Sequence, residues 1–562
     1  MRGSPISGGD KAEFDYVIVG AGSAGCVLAA RLTEDPDVRV LLLEAGPVNR
    51  SWAIDMPSGM GRLLSSERFN WAYVSEPEPH LDNRRLGHPR GRVIGGSSSI
   101  NGMMYIRGHA RDYDHWAQQG LSGWSYAELL PYFKRAETHE RGADVYHGGA
   151  GPLAVASPRI ERSVLADAFI RAGVEAGYPH TPDVNGRQQE GFGPMDRTTR
   201  GGRRWSVARG YLAPASRRPN LTIVTGALTL AVKLEGRRAV GVIYALDGQT
   251  REARAAREVI LCGGAFNTPQ LLQLSGIGPA DQLQRLDIAV RHDLPGVGSN
   301  LNDHPDIVIQ HHCTQPVSLY PATKAPGKWL VGLQWFLTRG GYAASNHFEA
   351  GAFIRSRAGI EHPDLQLTFM PLGVKPGTVE SVPAHAFQAH IDLMRARSRG
   401  SVRLRSTDPK QPPAICFNYM ADPQDRADMR AGVRLLREIL AQKALDPYRG
   451  AEIYPGPEVQ SDDAVDAWVR QALETCYHPV GTCKMGLASD AMAVVDNELR
   501  LHGLEKLRVV DASIMPSIVS GNTNAPTIAI AERASDMIRG HDPLPRSDAP
   551  VWIHPQWERA QR

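Results

Sequence analysis

Three glycines, Gly20, Gly22 and Gly25, form a G-x-G-x-x-G run between the apolar, β-branched stretch Tyr16 to Val19 and a stretch of helix formers containing Ala29, Ala30 and Leu32. Each position has a physical task in that setting. Gly20 permits a tight turn, Gly22 lets the backbone approach a pyrophosphate, and Gly25 allows close helix–sheet packing. The helix that starts at about Ser23 offers unpaired amides and a partial positive charge to the same anion. Glu44, followed by Ala45, ends the next strand, Val38 to Leu43. Its carboxylate suits ribose hydroxyls, and its charge argues against a 2′-phosphate. Dinucleotide binding is the chemistry predicted. A bare glycine turn at a βα junction is the alternative, and this loop does not distinguish FAD from NAD.

Other residues carry chemistry in less decisive surroundings. The run Gly95-Gly96-Ser97-Ser98-Ser99 supplies backbone and hydroxyl donors suited to an anionic or carbonyl-rich ligand. Cys476 and Cys483 flank His478, but their spacing matches no zinc pattern and no fourth ligand is evident, so buried structural thiols are expected and no metal. His311-His312-Cys313 is open to two readings, a metal or a strand crossing from interior to surface, and the strand explains it at least as well. Arg197, Arg200, Arg203, Arg204 and Arg209 read as a solvated loop in preference to a site for an anionic acceptor or membrane.

Four segments go further: PRGRVIGGSSSINGMMYIRGHARDYDHW from Pro89, GAFNTPQLLQLSGIGP from Gly264, LPGVGSNLNDHP from Leu294, and the C-terminal pair HPVGTCKMG and VVDASIMPSIVSGNTNAPTIAIAE. Together they resemble the glucose-methanol-choline (GMC) family of FAD-dependent oxidoreductases, in its bacterial choline-dehydrogenase-like and alcohol-dehydrogenase-like branch. They run in family order over nearly all of residues 15–540. The resemblance implies FAD as cofactor. It places Val93, Gly96, Ser97, Asn101, Gly102 and Met103 near the flavin, Trp71 there too unless it is a solvent-shielding core residue, and the backbone of Val232 near the adenine. Asp511 and Ala512 would meet the diphosphate and ribityl region, and Asn524, Pro526 and Thr527 the pyrimidine side. Some relatives bond flavin covalently to a histidine after the GGSS run; here Ser99 and Ile100 follow, so dissociable FAD is expected.

By the same resemblance His478 is the active-site base and Asn522 the residue that holds the substrate oxygen. Oxidising an alcohol requires loss of its hydroxyl proton and transfer of a hydride to flavin N5. A histidine suits the first task, and an amide can hold the forming alkoxide. Asn522 could instead be a turn residue, and Asn524 a helix cap. Tyr477, which should also lie near the flavin, Phe348 and Glu349 are the expected substrate contacts, with Trp335, Phe336, His347 and Phe353 as further candidates. Glu349 beside aromatics could hold a quaternary ammonium such as choline; an aliphatic or aromatic primary alcohol is the broader expectation. The oxidant is a quinone-type acceptor or oxygen, with dehydrogenase preferred to oxidase. Hydroxynitrile lyase and fatty-acid photodecarboxylase are the alternatives that the same fold hosts.

These side chains need a large frame, and 562 residues supply one. Hydrophobic residues at 42% and charged residues at 22% exclude a disordered chain, and a net charge of +3 excludes the basic balance of a nucleic-acid binder. The longest apolar stretch, Trp329 to Leu337, is too short to span a membrane. No amphipathic anchor stands out, although peripheral membrane contact is compatible with a quinone acceptor. Neither a secretory signal nor a disulfide pattern is evident, so a cytoplasmic protein is expected.

The predicted fold class is α/β, α+β overall: a Rossmann-like FAD-binding domain with an inserted substrate domain built on an antiparallel sheet with helices. The first takes residues 14–158, 203–309 and 474–541, the second 159–202 and 310–473, with extensions at 1–13 and 542–562. Within it, Ser125 to Glu137 reads as a helix with a Ser125–Glu128 capping box and a kink or break at Pro131. Residues 50–120 read as long loops. Oligomeric state is not encoded legibly.

Overall fold

The computed structural model describes residues 13–562. The expected N-terminal extension lies outside them, apart from Glu13, which starts a strand. Short, fully apolar runs dictate a parallel sheet covered on both faces. Val40–Glu44 is buried at every position and pairs in parallel with Glu13–Val19 and with Leu221–Thr225. On the other side of Glu13–Val19 lies the long strand Gln249–Leu261, also parallel. That strand changes neighbours along its length. Its residues 259–261 pair in parallel with Leu507–Val509, and its first half pairs antiparallel with Arg238–Leu246, which in turn pairs with Leu228–Glu235.

The helix Ser23–Leu32 packs on Asn524–Arg539, which packs on Tyr126–Ala136. Their interface is tied by a buried carboxylate. Glu532 accepts from Arg31 Nη2 at 2.8 Å, Arg135 Nε at 2.7 Å and the Tyr211 hydroxyl at 2.7 Å. The predicted capping box of Tyr126–Ala136 is present, but the helix runs unbroken through Pro131. Proline leaves the carbonyl four residues earlier without its helical donor, and here the Ala127 oxygen accepts from the Ser547 amide at 2.8 Å. The same device recurs in Gly264–Leu274, where Pro269 leaves the Ala265 oxygen to accept from Thr482 Oγ1 at 2.7 Å.

The second sheet is antiparallel throughout, in the order Arg449–Tyr454, Pro305–Cys313, Ala386–Leu393, Leu365–Met370, Ala350–Ile354, Gly191–Pro194, with Glu474–Thr475 pairing the start of Pro305–Cys313. Two-residue periodicity decides what each face does. Ile307, Ile309, Leu365, Leu367, Phe369, Phe387, Ala389 and Ile391 belong to one core, which the helices Val164–Glu175 and Pro423–Leu440 cover. The intervening residues Asp306, Gln366, Thr368, His390 and Asp392 face a cavity between the sheets. Strand Pro305–Cys313 crosses the 309/310 boundary drawn from the sequence, and carries buried His311 and exposed His312 as expected of a crossing strand.

Three features depart from the expectations. Residues 50–120 are not merely loops: they include the helices Trp52–Asp55, Met60–Leu64 and Ala110–Gln118. Arg204 is not part of a solvated loop. It is buried and donates to the carbonyl oxygens of Ile54 and Asn101 and to Asn101 Oδ1, and burial pushes its guanidinium down to about 9. Finally, residues after 541 form a strap across both halves. Tyr146 donates to Pro550 O, the Trp552 amide to Arg187 O, and Arg355 Nη1 to the carbonyls of Trp557 and Ala560.

Candidate active site

A single cavity of about 710 Å³ runs from the glycine loop to the antiparallel sheet. At its first end Gly20 takes φ +100°, and a Cβ on Gly25 would lie 1.9 Å from the Gly20 oxygen, so both glycines are required by packing. A Cβ on Gly22 would meet only the Cys262 oxygen, at 3.8 Å, which leaves that side of the loop open to a ligand. The Glu44 carboxylate accepts from the amides of Ala21 at 2.9 Å and Gly46 at 2.8 Å, and burial raises it to about 7. Leu228 and Thr229 complete this end, and Thr229 Oγ1 is buried without a hydrogen-bond partner among the described residues. An open glycine edge, a buried carboxylate and an unpartnered hydroxyl fit the adenosine half of FAD.

Two helix N-termini converge in the middle of the cavity, because Ser23 Oγ donates to Asn524 Oδ1 at 2.7 Å. Their amides and dipoles favour an anion there. Asp511 is held rigidly, accepting from the Gly264 amide, Thr268 Oγ1 and the Ser513 amide at 2.7–2.8 Å. Gly96, Ser97, Asn101, Gly102, Met103, Trp71, Ala45, Ala512 and Thr527 also line the wall. Asn101 is positioned by Arg204.

His478 and Asn522 meet at the far end, with Asn522 Nδ2 3.0 Å from His478 Nε2. The other ring nitrogen, Nδ1, lies 3.1 Å from Nδ1 of His304. An amide nitrogen only donates, so in this arrangement Nε2 carries the lone pair and the ring proton sits on Nδ1, shared with His304. The His478 amide donates to Asp303 Oδ1 at 2.7 Å, and Asp303 is fixed in turn by the hydroxyls of Tyr419 and Thr475. Tyr477, beside it, has φ +64°, a conformation costly for a bulky residue and held here by its surroundings. Burial, then His304 and Arg90, keep the His478 imidazole far below the usual histidine range, hence neutral.

Beyond this pair the wall is acidic. Asp306 and Asp392 are directly opposed across two strands, an arrangement that like charges disfavour. Burial, then Asp306, push the Asp392 carboxyl well up, and Cys476 Sγ donates to Asp392 Oδ1 at 2.6 Å. His390 Nδ1 lies 2.8 Å from Asp306 Oδ2, whereas Asp306 Oδ1 is buried without a hydrogen-bond partner among the described residues. Phe348, Tyr477, Gln366 and Thr368 enclose the same space.

Several predicted residues stand elsewhere. Val232 is off the wall: its amide donates to Ser275 Oγ at 2.8 Å, whereas Leu228 and Thr229 of the same strand line the cavity. Val93 packs with Ile54, Leu63, Phe69 and Ile100, and Pro526 sits in the first turn of Asn524–Arg539. Gly25 serves packing, as its predicted task requires. The Glu349 carboxylate does not line the cavity and is held by Ser345 Oγ at 2.9 Å and Arg197 Nη1 at 3.5 Å. Trp335, Phe336, His347 and Phe353 are likewise outside the wall. Sequence reasoning passed over Arg90, His304, Asp303, Asp306, His390 and Asp392. Three of these stand in one string, NDHPD at 302–306, where histidine and aspartate alternate at the start of a strand.

Models described as GMC oxidoreductase match residues 14–306 and 396–531. Oxygen-dependent choline dehydrogenase 1 of Chromohalobacter salexigens is 55% identical over 545 residues, covering 96% of this chain and 97% of that protein. Oxygen-dependent choline dehydrogenase of Pseudomonas syringae pv. syringae is 56% identical over 549 residues, 97% of this chain and 96% of that one. Among solved structures, pyridoxine 4-oxidase from Mesorbium loti superposes with a TM-score of 0.86 at 34% identity, covering 94% of this chain and all (100%) of that one. A point variant of formate oxidase from Aspergillus oryzae RIB40 gives 0.87 at 28% identity, covering 95% and 99%.

Proposed function

Since the chain belongs to the GMC oxidoreductase family of FAD-dependent alcohol oxidoreductases, we propose that it oxidises a primary alcohol to an aldehyde with His478 as base and Asn522 as the group that holds the alcohol oxygen. The observation that carries this reading is the His304–His478–Asn522 chain, which leaves the lone pair of His478 Nε2 beside an amide donor at the cavity end. His478 Nε2 takes the hydroxyl proton. Asn522 Nδ2 passes its hydrogen bond to the alcohol oxygen and stabilises the charge that develops there. His304 holds the tautomer, and Asp303 fixes the backbone that carries the base. Bound FAD supplies the acceptor for the hydride that leaves the alcohol carbon. Binding without a covalent link is supported by Ser99 and Ile100, neither of them a histidine, and by the Ser99 hydroxyl's donation to Ile94 O at 2.8 Å.

The acidic wall favours a substrate with a cationic group. A unit charge about 4 Å from a carboxylate gains roughly 4 kcal/mol at an effective dielectric near 20, and Asp306 Oδ1 has no hydrogen-bond partner among the described residues. Choline, the substrate printed in the names of the bacterial relatives, has an alcohol at one end and such a cation at the other. Asp306, opposed by Asp392, therefore takes the role expected of Glu349. The relatives' names fit a dehydrogenase that can use oxygen, with a quinone-type acceptor as the alternative oxidant.

Anaerobic bleaching of the yellow enzyme by choline, against neutral primary alcohols of similar size, tests both points. Choline should bleach at far lower concentration, and Asp306→Asn should raise its apparent KM by about tenfold or more while leaving neutral alcohols little changed. Equal bleaching by neutral alcohols would remove the cation site but keep the oxidation. No bleaching by any alcohol would overturn the oxidation itself. Fast recolouring in air identifies oxygen as oxidant; slow recolouring that a quinone accelerates identifies a dehydrogenase.

A further inference from the structure

One part of the surface is far more apolar than the rest. The helix Gly327–Thr338 buries a single side chain, Trp335, while Trp329, Leu330, Leu333, Phe336 and Leu337 are 49–75% exposed. Their spacing sets all five within about a third of the helix circumference, opposite Trp335. Exposed Trp52, whose ring centroid is 6.0 Å from Phe336, and exposed Tyr342 widen the patch. Isolated exposed apolar residues are ordinary in soluble proteins, but a contiguous aromatic and aliphatic face marks an interaction surface.

Charge narrows the choice of partner. Between Asp306 and Glu349 the chain has no acidic residue, and Lys324, Lys328 and Arg339 flank the helix. Lys328 lies 5.1 Å over the Trp329 ring, Arg339 4.2 Å over Trp335, and Arg62 5.4 Å over Trp52. Of the acids on neighbouring elements, Asp55 pairs with Arg209 and Arg203, and Glu380, which Lys324 also influences, pairs with Lys375. The patch thus combines indole and phenyl rings, leucines and a cationic rim, the composition of a helix lying in a membrane interface. A second copy of the chain seated on this face would bring the same cations together about a twofold axis.

We propose that this face docks on an anionic lipid bilayer, with Gly327–Thr338 lying in the plane of the headgroups. Twelve residues make a helix too short to cross a bilayer. Trp335 packs on Met56, and Met60 and Leu64, on the helix that follows, line the catalytic cavity. Docking therefore brings one cavity wall within a helix layer of the lipid.

Sedimentation of the FAD-loaded enzyme with vesicles tests this independently of the substrate. Vesicles of phosphatidylcholine mixed with phosphatidylglycerol should bind at least about tenfold more tightly than phosphatidylcholine alone. The triple variant Trp329→Ser, Leu333→Ser, Leu337→Ser should lose about tenfold or more of that binding, and Lys324→Gln with Lys328→Gln should abolish the preference for anionic lipid. Both variants should keep wild-type flavin content and anaerobic flavin reduction, since no changed residue lines the cavity. Equal failure to bind either vesicle would overturn the proposal. So would a wild-type dimer that the triple variant converts to monomer without any vesicle binding, which would assign the face to a second copy.

Discussion

His478 is neutral because it is buried, and it is aimed because His304 and Asn522 occupy its two nitrogens. His478→Ala should slow anaerobic flavin reduction by about 10²–10⁴-fold, the usual range for loss of a general base; an unchanged rate would remove it from the reaction. His304 is a positioning residue that also depresses the His478 imidazole. His304→Ala should slow reduction and move the acid limb of its pH profile upward, whereas a purely structural defect would lower the rate equally at every pH. Glu44 sets a different pH dependence. Its carboxyl is raised to about 7 in the fold against roughly 4.3 unfolded. The stability contributed is complete below the unfolded value and fades as pH rises through the folded one. The melting temperature of the flavin-free protein should therefore fall between about pH 5 and 8, and Glu44→Gln should flatten that slope in a thermal scan.

Helices meet at the cavity through buried polar ties as well as apolar packing. Glu532 is fully buried between Arg31, Arg135 and Tyr211, and its bond to Arg31 spans 501 positions of the chain. Replacing the carboxylate by an amide leaves one acceptor oxygen where two served Arg31, Arg135 and Tyr211, while Arg31 keeps Glu34 and Arg135 keeps Asp536. Glu532→Gln should cost about 1.5–3 kcal/mol in denaturant unfolding, with a parallel loss of flavin retention, because the N-termini of Ser23–Leu32 and Asn524–Arg539 would lose their registration. Normal stability would show that apolar packing alone aligns them. Helix prolines follow the same logic on a smaller scale. Thr482→Val would leave the Ala265 oxygen unpaired and should cost about 1–3 kcal/mol.

At the scale of the whole molecule, two sheets share one cavity and a C-terminal strap fastens them. Arg355 is fully buried, paired with Glu190 at 3.0 Å and donating to carbonyls of Trp557 and Ala560. Deleting residues 543–562 should uncover this pair and lower the melting temperature of the FAD-loaded enzyme by several degrees, measured beside the full chain. An unchanged value would show that the two halves hold together without the strap.

Much of this was legible in the residues themselves. The glycine run, its flanking strands and Glu44 state a nucleotide turn because a tight turn, a close backbone approach and a ribose acceptor each demand particular residue types at short spacing. Family resemblance singled out His478 and Asn522, 44 residues apart, and folding brings them within hydrogen-bond distance. What escaped was whatever depends on strands distant in sequence. Asp306 and Asp392 are 86 positions apart and become neighbours only through antiparallel register, which no local pattern encodes. Glu349 looked like a cation site from its aromatic neighbours in sequence, yet the adjacent strand order hands its carboxylate to Arg197 and Ser345. Pro131 looked like a break because the donor that rescues Ala127 comes from the far terminus. Local chemistry is written in spacing along the chain; partnership is decided by which surfaces the fold brings face to face.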